Sequence, residues 1–347
     1  MRLLVIGGGA IGGPLAARLS TPPHEVLLVE GWSAHLNAIR ERGLEVETVG
    51  VRRLFPIDVV SPQQAAALDW RPDIAFISVK AYDTELALDL LDLLLPAEAT
   101  VVSTQNGFNE EKIAQRLGDQ RVIGAVTEVG GYMRGPGQVV ETRPDGGFVI
   151  GELDGSATER CRSVAEVLSL AAPTSISANI KGLMWSKLLW NCTINPLTAL
   201  TGMGQGRLLH WPPGRRLALA VADEVASVAA QLDVVLEPLD FLGIDPRELV
   251  SSGSIRARAE QKLLERYSTQ MDKSTSMSQD IANGRRTEID ALNGFVVERA
   301  RALGMATPLN ARLVVMIHDL ETGHLTPDPA VVESMQNAVA RGRESQP

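Results

Sequence analysis

With 347 residues, 45% hydrophobic and 22% charged, the chain has an ordinary globular composition and a length suited to about two domains. Acidic residues outnumber basic ones by 42 to 33, and the net charge of −9 argues against nucleic acid or an anionic membrane surface as a general partner. The two cysteines, Cys161 and Cys192, have no metal-ligand spacing and imply no disulfide framework, which fits a reducing cytoplasm.

The opening run "MRLLVIGGGAIGG" is too short for a signal h-region followed by a cleavage site. "LALDLLDLLLP" is interrupted by Asp89 and Asp92 and is too short to span a bilayer, so a soluble protein with no membrane partner is expected.

In chain order, "RLLVIG" (2–7) reads as a buried strand, 10–20 as a helix, "HEVLLVE" (24–30) as a strand and 33–43 as a helix. "IAFISVK" (74–80) is a third strand, followed by a helix over 83–95 that stops at Pro96. "ATVVSTQNG" (99–107) is a strand ending in a turn, and 109–118 a helix. The Gly-rich segments "RVIGAVTEVGGY", "GQVVETR" and "GFVIGE" read as an antiparallel addition to the sheet. Beyond about residue 180 long helical patterns dominate: 183–200, 215–232, part of 246–267, 286–303 and 308–322. The reading is an α/β N-terminal Rossmann-type domain over 1–178, a C-terminal all-α domain over 179–325, and a tail over 326–347 whose final "RGRESQP" is frayed.

Gly7, Gly9 and Gly12 spell G-x-G-x-x-G, with Ala10 and Ile11 inside the loop, between the first strand and the first helix. Without a Cβ, glycine permits the tight turn and the approach of a pyrophosphate to the helix N-terminus. A second strand ending in the acidic Glu30 completes the context of a dinucleotide site. Lys80 and Asn106 fall at the C-terminal ends of later strands, where open α/β sheets bind ligands. Lys80 reads equally well as a solvated loop residue, and "QNG" (105–107) as a plain turn.

"WSKLLWNCTINP" (185–196) is apolar except at Lys187, Asn191 and Asn195, which share one helix face at i, i+4, i+8. A snorkelling lysine and backbone-capping asparagines are an alternative. Three polar groups on one face beside Trp185 and Trp190 favour a site lining. An ammonium poised by carboxamides suits carbonyl chemistry, polarising C=O and donating a proton as hydride arrives. In "STSMSQDIANGRRTEID" (274–290), Ser276 and Glu288 can converge as a loop and a helix start. Taken alone, Glu288 reads as a first-turn carboxylate facing a helix dipole, while Arg285 and Arg286 stay open between surface charge and anion binding.

Together these motifs, with W-x-K-x-x-x-N-x-x-x-N-P and S-x-x-Q-D…T-E-I-D, resemble ketopantoate reductase (2-dehydropantoate 2-reductase) along the chain to about residue 320. The resemblance implies a Rossmann-type domain, a helical domain and an active site in the cleft between them. It implies reduction of ketopantoate to pantoate with NADPH, in pantothenate biosynthesis. By motif, Lys187 becomes the general acid, Asn106 touches nicotinamide and substrate, and Asn191, Asn195 and Ser276 hold substrate oxygens. Glu288 then binds the substrate hydroxyl or steadies Lys187, and Gly7, Gly9, Ala10, Ile11, Gly12, Glu30 and Lys80 fall to the cofactor.

Two positions depart from the family. "TGMGQGRLL" carries Gln205 and Arg207 where Asn and Glu are common, which bears on substrate identity. "VEGWSAHL" offers Glu30 and no arginine after the second strand, which argues for NADH over NADPH. A small-molecule ketoacid partner is expected, and the long apolar helices are compatible with a homodimer. Other readings are a related hydroxyacid dehydrogenase acting on a different acid, or a non-catalytic nucleotide sensor.

Overall fold

The computed structural model describes residues 1–143, 145–240 and 242–335. It divides into two compact units, Met1–Met184 and Trp185 onward. The sequence boundary expected at 178/179 falls just ahead of the helix in which this division lies.

The N-terminal unit begins with β1 (Arg2–Ile6), α1 (Gly12–Leu19), β2 (Glu25–Val29) and α2 (Ser33–Arg42). Then come β3 (Leu44–Thr48), β4 (Val51–Phe55), β5 (Asp58–Val60), α3 (Pro62–Ala66) and β6 (Ile74–Ile77). After α4 (Thr84–Leu94), β7 (Thr100–Ser103) and α5 (Glu110–Leu117), β8 (Val122–Thr127), β9 (Gly131–Gly135), β10 (Gln138–Glu141) and β11 (Phe148–Glu152) follow. The unit closes with α6 (Glu159–Ser169) and β12 (Thr174–Ile176).

Eight strands form the main sheet in the order β12-β11-β8-β7-β6-β1-β2-β5. The chain winds one way from β1 through β2 to β5 and the other way from β6 through β7 to β8, all in parallel. The order therefore reverses between β1 and β6, where such sheets open a crevice at their C-terminal edge. Helices on both faces bury the central strands, which is why "LLVI" in β1 and "IAFI" in β6 are continuous apolar runs rather than alternating ones. Leu3 and Phe76 belong to one core layer and Leu4 and Ile77 to the other.

The expected antiparallel addition needs correction. Of the Gly-rich segments only "GFVIGE" (β11) adds antiparallel to the main sheet, against β8, and β12 then pairs parallel with it. β9 and β10 instead join β3 and β4 in a separate four-stranded sheet, β4-β3-β10-β9. Strands β3, β4 and β5 lie in a stretch where no strand was expected: β3 and β4 form a local hairpin across Val49 and Gly50, while β3 also pairs with β10 and β5 with β2 over long range.

The C-terminal unit is helical: α7 (Ile180–Thr201, entered from the first unit), α8 (Gln205–His210), α9 (Pro212–Gln231), α10 (Pro246–Leu249) and α11 (Gly253–Tyr267). α12 (Ser276–Ala282), α13 (Asn293–Ala302) and α14 (Pro308–Glu321) complete the named elements. α9, α13 and α14 pack on one another around Val221, Val225, Val296, Leu313 and Ile317. Each such side chain contributes about 1.5–3 kcal/mol on full burial. The helix expected over 286–303 begins at 293, after a single 3-10 turn at Ile289–Ala291, and that over 246–267 is split in two. Residues 330–335 of the expected tail are helical, with Val332 and Met335 buried; "RGRESQP" lies outside the described residues. No described helix is long and apolar enough to cross a membrane.

Candidate functional site

Two clusters carry chemistry, one in each unit. In the first, the glycine turn joins the end of β1 to α1. Gly7 has φ +103°, and a Cβ there would meet the Val79 backbone nitrogen at 2.8 Å. A Cβ on Gly12 would lie 2.0 Å from the Gly7 carbonyl oxygen. A Cβ on Gly9 would meet nothing within 4 Å, so only Gly9 of the three borders open space. That division fits a dinucleotide: two glycines shape the turn and the third leaves room for a pyrophosphate at the start of α1.

Glu30, one residue beyond β2, is buried and ties the turn down. Its Oε2 accepts the Gly8 N–H at 2.8 Å and its Oε1 the Trp32 N–H at 2.7 Å. His35 donates from Nε2 to the Gly8 carbonyl (2.8 Å) and accepts the Gly137 N–H at Nδ1 (2.7 Å), which fixes the Nε2–H tautomer. Trp32, about half exposed, stacks on His35 with centroids 5.7 Å apart. Ala10 and Ile11 are half-buried between the glycines.

Lys80 lies beyond the end of β6 rather than in it, as the N-cap of a 3-10 turn at Ala81–Asp83, half-buried. Asn106 occupies the turn after β7, also half-buried, with its carbonyl accepting from Asn109 Nδ2 at 2.8 Å. The two turns are tied by Gln105, whose Nε2 donates to Val79 O and to Thr84 Oγ1, each at 2.9 Å. Gln105 was not singled out from the sequence; a buried carboxamide between two strand ends gives no local signal.

In the second unit, Lys187 and Asn191 are half-buried on an α7 whose neighbouring positions are almost all buried, and Asn195 continues the line at 7% exposure. The polar stripe is therefore the least buried line along this stretch of helix. Hydrogen bonds before, within and beyond this stretch set the rotation of α7. Ser186 Oγ accepts the Glu237 N–H at 2.9 Å, and Thr198 Oγ1 lies 2.8 Å from Thr275 Oγ1 and 3.0 Å from Ser278 Oγ. Between them Asn293 Nδ2 donates to the Cys192 carbonyl at 3.0 Å. Cys192 is fully buried, and burial pushes its thiol pKa well up, as suits a small hydrophobe.

Ser276 is the first residue of α12 and exposed, not a loop residue; its neighbour Thr275 is the N-cap, accepting from Ser278 N. Glu288 is buried and precedes the 3-10 turn at Ile289–Ala291. Its turn is clamped: Thr287 N–H donates to Glu321 Oε1 (2.6 Å), and His318 bridges Glu321 Oε2 (2.8 Å) and Asp290 Oδ1 (2.9 Å). Arg286 pairs with Asp290, and Arg285 is exposed. Of the departures from the family, Gln205 is buried with Nε2 donating to Ser274 O at 3.4 Å, and Arg207 pairs with Asp272 at the surface. No group of three or more His, Cys, Asp or Glu among the described residues is placed to hold a metal ion.

The chain matches two family models, "Ketopantoate reductase PanE/ApbA" over residues 3–155 and "Ketopantoate reductase PanE/ApbA C terminal" over 179–321. It is 30% identical over 324 residues to the 2-dehydropantoate 2-reductase of Archaeoglobus fulgidus, covering 93% of this chain and 98% of that protein. The chain belongs to the ketopantoate reductase family. This is a family of NAD(P)H-dependent oxidoreductases, in agreement with the glycine turn. The ketopantoate reductase of Halobacterium salinarum is 31% identical over 320 residues, with 91% of this chain and 98% of that one covered. Among solved structures, the PanE/ApbA family ketopantoate reductase of Ralstonia eutropha matches with TM-score 0.77 at 29% identity, over 93% of this chain and 99% of that one. D-mandelate dehydrogenase with NADH and anilino(oxo)acetate matches with TM-score 0.80 at 25% identity over the same shares.

Proposed function

We propose that this ketopantoate reductase family member reduces a small 2-ketoacid, ketopantoate first among the candidates, with Lys187 as the general acid. The observation that carries the reading is the line Lys187–Asn191–Asn195, its first two members half-buried and Asn195 buried, on a helix otherwise packed and pinned.

A bound nicotinamide cofactor supplies the hydride for the ketone carbon. As the carbonyl π electrons move onto oxygen, the Lys187 ammonium beside it stabilises the growing charge and transfers its proton to that oxygen. The product is a 2-hydroxyacid, and the neutral lysine regains a proton from solvent. Asn191, Asn195 and Ser276 offer amide and hydroxyl groups to the substrate's oxygens. Glu288, on its clamped turn, takes the substrate hydroxyl or orients Lys187. Gly7, Gly9, Ala10, Ile11 and Gly12 line the nucleotide, with Lys80 and Asn106 on the nicotinamide side.

For the cofactor, the reading is that NADH serves at least as well as NADPH. Glu30 places a carboxylate at the end of β2, and Arg40 is committed elsewhere, its Nε to Val59 O at 3.1 Å and its Nη2 to Gln64. A 2′-phosphate would meet a negative charge with that arginine already engaged.

A second reading keeps the chemistry and changes the acid. It is favoured by Gln205 and Arg207 at positions where the family commonly has Asn and Glu, both already bonded to the segment leading into α12. The test is a panel of ketopantoate, phenylglyoxylate and aliphatic 2-ketoacids with NADH or NADPH, following nucleotide absorbance. Turnover of ketopantoate with the highest kcat/KM supports the first reading; preference for another acid supports the second. No turnover of any ketoacid rejects both.

A further inference from the structure

We infer that Asn293 is a positioning residue for the lysine–asparagine helix, supplying to the Cys192 carbonyl the hydrogen bond that Pro196 cannot give.

In an α-helix the carbonyl of residue i accepts from the N–H of residue i+4. Pro196 lies inside α7 and has no N–H, so the Cys192 carbonyl loses its helical partner. This carbonyl belongs to the turn between Asn191 and Asn195, on a residue with no exposed surface, where water is no substitute. Asn293 fills the gap from another helix, with Nδ2 at 3.0 Å.

The orientation of that carboxamide is determined. A carbonyl only accepts, so the NH2 end must face Cys192, and its second hydrogen goes to Asn310 Oδ1 at 2.9 Å. Asn293 Oδ1 is left buried with no partner among the described residues, so both donors are used at the expense of the acceptor. Asn310 in turn donates from Nδ2 to Glu224 Oε2 at 2.8 Å. Glu224 also accepts the Leu309 and Asn310 N–H groups at the start of α14, at 2.9 and 3.0 Å. A relay thus runs from the half-buried Glu224 carboxylate capping α14 through two fully buried carboxamides to the one point on α7 where its ladder is broken. A helix missing a rung is free to bend there, and bending would move Asn195 relative to Lys187 and Asn191. The relay holds that angle.

The inference rests on the proposed role of the stripe, so its test has a readout that needs no activity. The chain contains two cysteines, and labelling with 1-13C-cysteine gives two carbonyl resonances, from Cys161 and Cys192. In Asn293→Leu the Cys192 resonance should shift while Cys161 stays. In Asn293→Leu/Pro196→Ala, where residue 196 has an N–H again, it should return towards the wild-type position. Ketoacid turnover should follow the same order: kcat down in Asn293→Leu, by up to about 10²-fold, the scale for a group misplaced by an ångström, and largely regained in the double variant. Nucleotide affinity should hold throughout. An unmoved Cys192 resonance, or a shift without rescue by Pro196→Ala, overturns the inference. If Asn293→Leu does not fold, the double variant decides: recovery of the fold supports the role, and failure of both shows that Asn293 serves something other than this carbonyl. If the resonances behave as stated but kcat does not change, the hydrogen bond is present and its positioning role is refuted. Absence of turnover in wild type rejects the proposed function while the spectroscopic arm still stands.

Discussion

Glu30 accepts the backbone N–H of Gly8 at 2.8 Å, so the acidic residue that ends β2 is part of the glycine turn itself. With the Trp32 N–H on its other oxygen, the carboxylate holds the glycine turn and the start of α2 at once. Hydrogen bonds to a charged group are worth about 1.5–3 kcal/mol each, so this residue acts on the turn's shape as well as on its charge.

The first prediction follows from that double role. Wild type should show kcat/KM for NADH equal to or above that for NADPH. Glu30→Ala should raise KM for both nucleotides and narrow the difference between them. A tenfold preference for NADPH, about 1.4 kcal/mol, that survives Glu30→Ala would contradict the assignment.

Two glycines of one motif should respond in opposite ways. Gly12→Ala places a methyl 2.0 Å from the Gly7 carbonyl oxygen and 2.6 Å from Ser78 Cβ, and should cost stability of about 3 kcal/mol or more. Gly9→Ala meets nothing, so its melting temperature should match wild type while the dissociation constant for the nucleotide rises about tenfold or more. Unchanged nucleotide binding in Gly9→Ala would show that the space beside Gly9 is not where the pyrophosphate lies.

Lys187→Ala should keep fold and nucleotide affinity and lose kcat by about 10²-fold, the scale for a lost acid or oxyanion donor. Lys187→Arg keeps the charge but not a proton it can release, and should not restore turnover. Ketoacid reduction by Lys187→Ala within a few-fold of wild type would reject Lys187 as the acid.

The clamp on the Glu288 turn should make stability pH-dependent. Burial pulls the His318 pKa down, but its hydrogen bonds and attraction to Glu321 and Asp290 outweigh this and leave it above the ordinary 6.5. Glu321 is pushed up by burial and pulled down further by Thr287 and His318, ending below 4.5. Arg286 also faces Asp290 and weakens its pull on the imidazole. The histidine's contribution is therefore complete below pH 6.5 and lost as pH rises through its raised pKa, while that of Glu321 fades as pH falls below 4.5. His318→Gln should lower the melting temperature at about pH 6, by no more than about 4 °C for so exposed a cluster, and hardly at all near pH 9. An equal drop at both pH values would mean the imidazolium charge is not what holds the turn.

Much of the glycine-turn region was legible because it is local. A strand, three glycines, a helix and an acidic strand end lie within thirty residues; Gly12 is required by the Gly7 carbonyl five residues away, whereas Gly7 is required by its φ of +103° and by Ser78 and Val79 beyond the end of β6. The stripe on α7 was legible for the same reason, since helical period alone puts Lys187, Asn191 and Asn195 on one side. Ser276 was misread as a loop residue because its helix is started by Thr275, whose hydroxyl is held by Thr198 on another helix.

What the sequence by itself determined was the kind of elements and the chemistry on their exposed lines, because backbone period and the sterics of glycine and proline act over a turn or two. Only the tertiary structure decided the second sheet, where β10 pairs with β3, and the roles of Gln105, Glu224 and Asn293. These depend on buried polar groups finding partners brought together by packing. Pro196 announces in the sequence that a carbonyl will be left bare, and nothing short of the packed helices says that Asn293, far along the chain, is the residue that covers it.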